Sequence, residues 1–256
     1  MARWVGIAQA RQMRGLRLAG LRGIPSPWTE AAKGIFHVKQ LACQYAARMD
    51  DEPRTALVDW AGDVGVPVVA YENEPLRTTW TSILLLAERL APEPALLPRD
   101  ADARAVAFGL AHEICGEMGL GWAYRLLMIQ ASLGHGQNEE RRGFSPGVAN
   151  YLAPRYGFNP AHVKVAKQRV VDLLTMLSRR IEGKPYFLGA LSAVDIYWAT
   201  FANLLHPLPE RDMPFSGPFR DAYTCVDGDI LAAISPQLRG HQERIYREHL
   251  ELPAPL

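Results

Sequence analysis

Cysteine is scarce in this chain, net charge is nearly absent, and no long apolar run occurs. Each shortage removes a class of protein. The three cysteines, Cys43, Cys115 and Cys225, lie far apart. They form no CxxC pair and no Cys/His spacing of the kind that holds zinc, so neither a disulfide framework nor a metal site is expected. Free thiols fit a reducing compartment, and a cytoplasmic protein is expected. The 28 basic residues against 27 acidic ones leave a formal net charge of +1, which gives no reason to expect nucleic acid or a membrane surface as partner. No apolar stretch approaches the roughly eighteen residues of a spanning helix. Arg11, Arg14 and Arg17 interrupt any signal-peptide core near the start. The 19 prolines and 21 glycines are dispersed over 256 residues, so they punctuate the chain rather than form low-complexity tracts, and there is no internal repeat.

What is present divides into two textures. Residues 1–14 read as a short helix ahead of a first strand, Leu16 to Leu21. A turn at Gly23-Ile24-Pro25-Ser26-Pro27 leads into a helix from Trp28 to Leu41, with Ala32, Ile35, Phe36 and Val38 on one side. Cys43 to Ala47 reads as a second strand, making a parallel β-α-β unit. Residues 50–64 are polar and irregular apart from Trp60. Gly65 to Tyr71 is a third strand, Leu76 to Thr78 a returning edge, and a helix begins at Ile83. The prolines between Ala91 and Asp100 mark a linker, placing domains at 1–90 and 101–256. Beyond it the pattern predicts one long helix from Asp102 to Leu133, with Gly109, Gly116, Gly119 and Gly121 implying close packing or a kink. A loop-rich insertion follows to Asn159, and then come helices over 160–181, 192–205 and 236–249.

Three short pieces carry chemistry. Ser26 stands one residue before a helix-opening proline, so its hydroxyl sits near a helix N-terminus, where backbone amides and the helix dipole favour an anion such as a thiolate. The alternative for this residue is an ordinary N-cap, a position serine often fills. Val66-Pro67 enters a strand through proline, either as a common trans bond at a strand start or as a cis bond that turns the Val66 backbone groups towards a ligand. Ser192 and Asp195 have the spacing of a capping box, a structural signal for a buried helix. His112 and Glu113 are adjacent on a helix, point about 100° apart, and read as structural. Arg141-Arg142 reads as a solvated loop.

The order of these pieces resembles the cytosolic glutathione S-transferase superfamily, over roughly residues 15–205. Ser26-Pro27-Trp28 is similar to the active-site turn of its serine and cysteine classes, and Val66-Pro67 to its cis-proline strand. Pro92 to Arg104 is similar to its interdomain linker and the helix that follows. Gly189 with Ser192 to Asp195 is similar to the capping box of its buried helix. The resemblance implies a thioredoxin-like α/β domain followed by an all-helical domain, commonly as a homodimer. It implies glutathione as co-substrate, no metal, and a small, electrophilic, largely apolar second substrate. Ser26 would hydrogen-bond the glutathione sulfur beside Trp28, and Val66 would pair with the tripeptide's cysteine.

One part of the family pattern is missing. The acidic-residue-then-serine pair that holds the γ-glutamyl group should fall near Thr79-Trp80, where the sequence runs Arg77-Thr78-Thr79-Trp80-Thr81-Ser82. Arg77, Thr78 and Thr79 are the substitute candidates, since arginine binds carboxylates bidentately; Trp80 filling the pocket is the alternative. Lys39, Gln40 and Trp60 are candidates for the glycyl end. Ile24, Pro25, Trp122, Tyr124, Arg125 and Met128 are candidates for the second-substrate pocket, against a role in the core or a dimer surface. Two functions follow: a serine-type transferase, or a non-catalytic relative that has lost glutathione. An enzyme using another small thiol or an acidic ligand at Arg77 is a narrower third.

Overall fold

The computed structural model describes residues 4–62, 65–133, 143–215 and 217–256; Arg141 and Arg142 lie outside them. The N-terminal layer runs α1 (Ile7–Gln12), β1 (Leu16–Ala19), α2 (Pro27–Val38), β2 (Cys43–Ala46), α3 (Ala56–Ala61), β3 (Val68–Tyr71) and α4 (Trp80–Leu90). The sheet order is β2-β1-β3, with β2 parallel and β3 antiparallel to β1. Both faces are covered, which is why most strand positions are apolar, Arg17 and Gln44 apart. Leu16, Leu18, Tyr45 and Val69 belong to the large core, while Ala19, Ala46 and Val68 pack with Ile7 and Ala10 of α1 and with Leu57 and Trp60 of α3.

Two expectations for this layer change. The polar stretch 50–64 contains α3, a helix with no fully buried residue, so its apolar stripe of Ala56, Leu57, Trp60 and Ala61 is too thin to read in advance. The returning edge at Leu76 to Thr78 shrinks to one antiparallel bridge, Val69 to Arg77. The first residues prove integral: Val5 bridges Ala46 at the free edge of β2. The Glu52 carboxylate accepts the amides of Ile7 (3.0 Å) and Ala8 (2.7 Å) at the start of α1, and that of Met49 (2.9 Å).

Everything after the linker is helical among the described residues: α5 (Ala101–Cys115), α6 (Leu120–Leu133), α7 (Pro146–Arg155), α8 (Pro160–Ile181), α9 (Ala193–Ala202), α10 (Gly217–Ala222), α11 (Gly228–Ala232) and α12 (Pro236–His249). The long helix expected over 102–133 is broken between α5 and α6. Met118 has φ +57° there, and a Cβ on Gly119 would lie 2.6 Å from the His112 carbonyl oxygen. A Cβ on Gly121 would lie 2.4 Å from the Phe201 ring, so the glycines serve close packing as well as the break. The insertion expected to be loop contains α7, opened by Ser145 and Pro146.

All ten residues of α9 are buried. Its N-terminus is fixed by Asp195, which accepts hydrogen bonds from the Ser192 amide (2.9 Å) and hydroxyl (2.7 Å), the Phe187 amide (3.1 Å) and His241 Nε2 (2.9 Å) of α12. Fully burying side chains such as Trp198 and Phe201 stabilises the fold by about 2–3 kcal/mol each. α2 packs along α9, and that contact joins the sheet layer to the helices.

Candidate active site

The cleft where the two halves meet is built from the turn before α2, the entry to β3, the start of α4 and one face of α6. It has a volume of about 1010 Å³. Ser26 is the N-cap of α2 with extended backbone angles (φ −64°, ψ 119°), and Pro27 occupies the first helical position. Its carbonyl accepts the Glu30 amide at 2.8 Å, the ordinary first bond of a helix. Its hydroxyl makes no capping bond and has no partner among the described residues. Ser26 is 7% exposed and lines the cleft, so a buried hydroxyl donor faces the cavity at the positive end of a twelve-residue helix.

Beside it, the Val66–Pro67 bond is cis, and both residues line the cleft. Backbone N–H and C=O groups that pair neither with the sheet nor with side chains must be met by water or a ligand. Val66 lies outside the ladder, which starts at Val68. Trp28 forms the floor on the helical side. Its indole N–H donates to the Cys115 carbonyl at 2.9 Å, and its ring meets Phe201 edge-on at 4.7 Å. This ties the start of α2 to α5 and α9.

Of the residues anticipated from sequence, Ser26, Trp28, Ile24, Val66, Pro67, Thr78, Trp122 and Arg125 all line one cleft. The others lie elsewhere, each for a physical reason. Lys39 is buried and clamps the linker, binding Glu88 (2.6 Å) and the carbonyls of Ala91 (2.7 Å) and Pro94 (2.9 Å). Gln40 is exposed in the turn after α2 with φ +53°. Arg77 pairs with Glu74 at 2.9 Å, which also holds Arg89. Thr79 is engaged with Ser82 in a reciprocal capping box that starts α4 three residues earlier than expected. Pro25 is buried outside the lining, and Trp60 packs in the smaller core.

On α6, Trp122 and Arg125 are three residues apart and share the cleft face. Tyr124 and Met128 are four apart and share another face, in the core. Trp80 lines the cleft from the start of α4 and meets the Tyr197 ring edge-on at 5.7 Å. Sequence reasoning missed Phe144, Tyr156, Tyr197, Phe219 and Tyr223, which complete the helical wall. Tyr156 follows α7, so the overlooked Ser145-Pro146 start signal is the one that would have led to it.

Electrostatically the wall is cationic and aromatic. The Arg125 guanidinium donates to the Tyr223 hydroxyl at 2.9 Å and lies 5.0 Å from the Phe144 ring centroid. Burial holds the Tyr156 phenol above its ordinary value, with Arg125 pulling the other way. Cys43 and Cys115 are poor nucleophiles here: burial pushes the Cys43 thiol up to about 12, and raises that of Cys115 as well. No cluster of metal-ligating side chains occurs among the described residues.

No protein-family model matches the sequence, and no curated protein matches it. Solved structures do. A glutathione transferase family member from Pseudomonas fluorescens, with two glutathione bound, matches with a TM-score of 0.65 at 12% identity, over 96% of this chain and 98% of that one. The chain has the glutathione transferase fold. A glutathione S-transferase from Methylobacterium radiotolerans, in complex with glutathione sulfonate, gives 0.58 at 17% identity over 92% of both chains. The theta class glutathione S-transferase of Xanthomonas axonopodis pv. citri, with glutathione bound, gives 0.55 at 14% over 92% and 94%. At these identities the likeness is one of fold. No helix among the described residues is long and apolar enough to cross a membrane.

Proposed function

We propose that the chain is a serine-type glutathione transferase, which binds glutathione against β3 and activates its thiol at Ser26 for attack on an electrophilic, largely apolar small molecule. The observation that carries this reading is the Ser26 hydroxyl, unpartnered at the mouth of α2 and facing the cleft. A thiolate placed there would accept that hydroxyl's hydrogen bond and lie in the favourable field of the helix N-terminus. Val66 would hold the cysteinyl backbone of the tripeptide. The γ-glutamyl carboxylate would fall to Thr78 and the first-turn amides of α4, since Arg77 and Thr79 are already engaged.

Calorimetric titration of glutathione into the wild type and Ser26→Ala tests it. Binding by both, with transfer to an electrophile lost only in Ser26→Ala, supports the transferase. The engagement of Arg77 and Thr79 favours a second reading, a binding module of the same fold that has given up glutathione; absence of heat at saturating glutathione selects it. The accompanying homodimer rests on the resemblance alone and is read by sedimentation of the purified chain. Twice the chain mass supports it and the chain mass refutes it.

A further inference from the structure

The least satisfied charge in the cleft is Arg125. The residue is 5% exposed, lines the cavity, and forms no ion pair among the described residues. A guanidinium carries five N–H donors. Here Nη2 donates to the Tyr223 hydroxyl at 2.9 Å, Nη1 reaches the Met128 sulfur at 3.7 Å, and Nε has no partner among the described residues. The Tyr156 hydroxyl is the guanidinium's other hydrogen-bond partner. Both tyrosines are neutral groups, so neither supplies the counter-charge that buried arginines ordinarily have. Among the described residues the cleft lining contains no Asp or Glu at all.

A second observation converges on the same spot. Phe144 and Tyr223 lie 5.0 Å and 5.1 Å from the guanidinium, and Trp122 and Tyr156 are in ring contact at 4.8 Å alongside. A flat apolar body therefore has ring faces to pack on, and a guanidinium stands within that surface. Such an arrangement resists a neutral hydrocarbon, because seating one would strip the guanidinium of its remaining solvent and offer no acceptor in return. It suits an anion on an aromatic frame, which supplies both.

We propose that Arg125 is the receptor for the anionic group of an amphipathic aromatic ligand, so that the helical side of the cleft selects aromatic carboxylates over their neutral counterparts. Taken as the second substrate of a transferase, this ligand class rests on the reading above; taken as a binding property of the cleft, it does not.

The test compares biphenylcarboxylate with biphenylcarboxamide, titrated calorimetrically into the wild type and Arg125→Met, with and without saturating glutathione. The wild type should bind the carboxylate about ten- to a hundred-fold more tightly than the amide, the worth of one charge-assisted hydrogen bond. Arg125→Met should lose that preference while keeping its affinity for the amide. Equal wild-type affinities for the pair overturn the proposal, and they need no variant, so the test survives if Arg125→Met does not fold. A preference kept in Arg125→Met overturns it too. Glutathione and the carboxylate should bind together; mutual exclusion would place a glutathione carboxylate on Arg125 and overturn the assignment. Failure of glutathione to bind at all, with the carboxylate preference intact, refutes the transferase and leaves this site standing.

Discussion

Replacing Asp195 with alanine should cost the protein a large part of its stability. The side chain is fully buried and accepts from four donors: the amides of Phe187 and Ser192, the Ser192 hydroxyl and His241 Nε2. Alanine leaves all four in a dry site, and the methyl group is too small for water to be kept out of the space without loss of packing. Removing one partner of a buried, hydrogen-bonded charge costs about 3–5 kcal/mol, and each stranded donor alone costs about 1–3 kcal/mol. Some donors relax towards other acceptors, so the expected loss is about 4 kcal/mol, against a total of roughly 5–15 kcal/mol for a typical protein. Equilibrium urea unfolding followed by tryptophan fluorescence measures it, since Trp198 lies on the same helix. Asp195→Asn should also destabilise, because its amide turns a donor towards donors. A loss below about 1 kcal/mol in the alanine variant would refute the view that this carboxylate ties α9 to α12.

Three further outcomes follow from contacts elsewhere. Lys39→Met removes the cation that joins Glu88 to the linker carbonyls and should cost about 2–3 kcal/mol, less than a sealed pair because Glu88 keeps some solvent; thermal unfolding reads it. Gly121→Ala drives a methyl group into the Phe201 ring that braces Trp28, so a loss of about 1–3 kcal/mol with a shifted tryptophan emission is expected. Burial, and then Arg239, lowers His206 from 6.5 to about 4. The unfolded chain therefore binds a proton there before the folded one, and stability should fall by up to about 3 kcal/mol as pH drops from 6.5 towards 4. His206→Gln should flatten that slope, and an unchanged slope would rule His206 out as its source.

The elements with a strong apolar period or a clear start signal were legible in the sequence: α2, α8, α9 and α12 and all three strands. Their positions are set by burial on one face or two, which composition records directly. The missed helices are those that bury little. α3 offers Leu57, Trp60 and two alanines to a small core, and α10 and α11 span only six and five residues. α7 is different, because its Ser145-Pro146 start has the same form as Ser26-Pro27, yet it lies inside the segment read as a loop-rich insertion.

At the site, residues whose backbone or helix position fixes their direction were readable, as with Ser26 and Val66-Pro67. Polar side chains with several possible partners were not. Lys39, Arg77 and Thr79 each found a local partner, and no spacing rule reveals that an arginine near a pocket is already held by Glu74 three residues earlier. Tyr156 and Tyr223 come from distant segments, brought to Arg125 only by the packing of α6, α7 and the turn after α10.

The central claim is that Ser26 and the N-terminus of α2 stabilise a bound thiolate. Its most direct test is the pH titration of glutathione in the cleft, followed by thiolate ultraviolet absorbance at saturating protein, in the wild type and in Ser26→Ala. A hydrogen bond to a charged sulfur is worth about 1.5–3 kcal/mol, which lowers the thiol by about one to two pH units from its usual value near 8.5. The account predicts that wild-type depression and its partial reversal in Ser26→Ala, with the helix N-terminus supplying what remains. Bound glutathione that titrates as it does free in solution, or a depression untouched by Ser26→Ala, would contradict it.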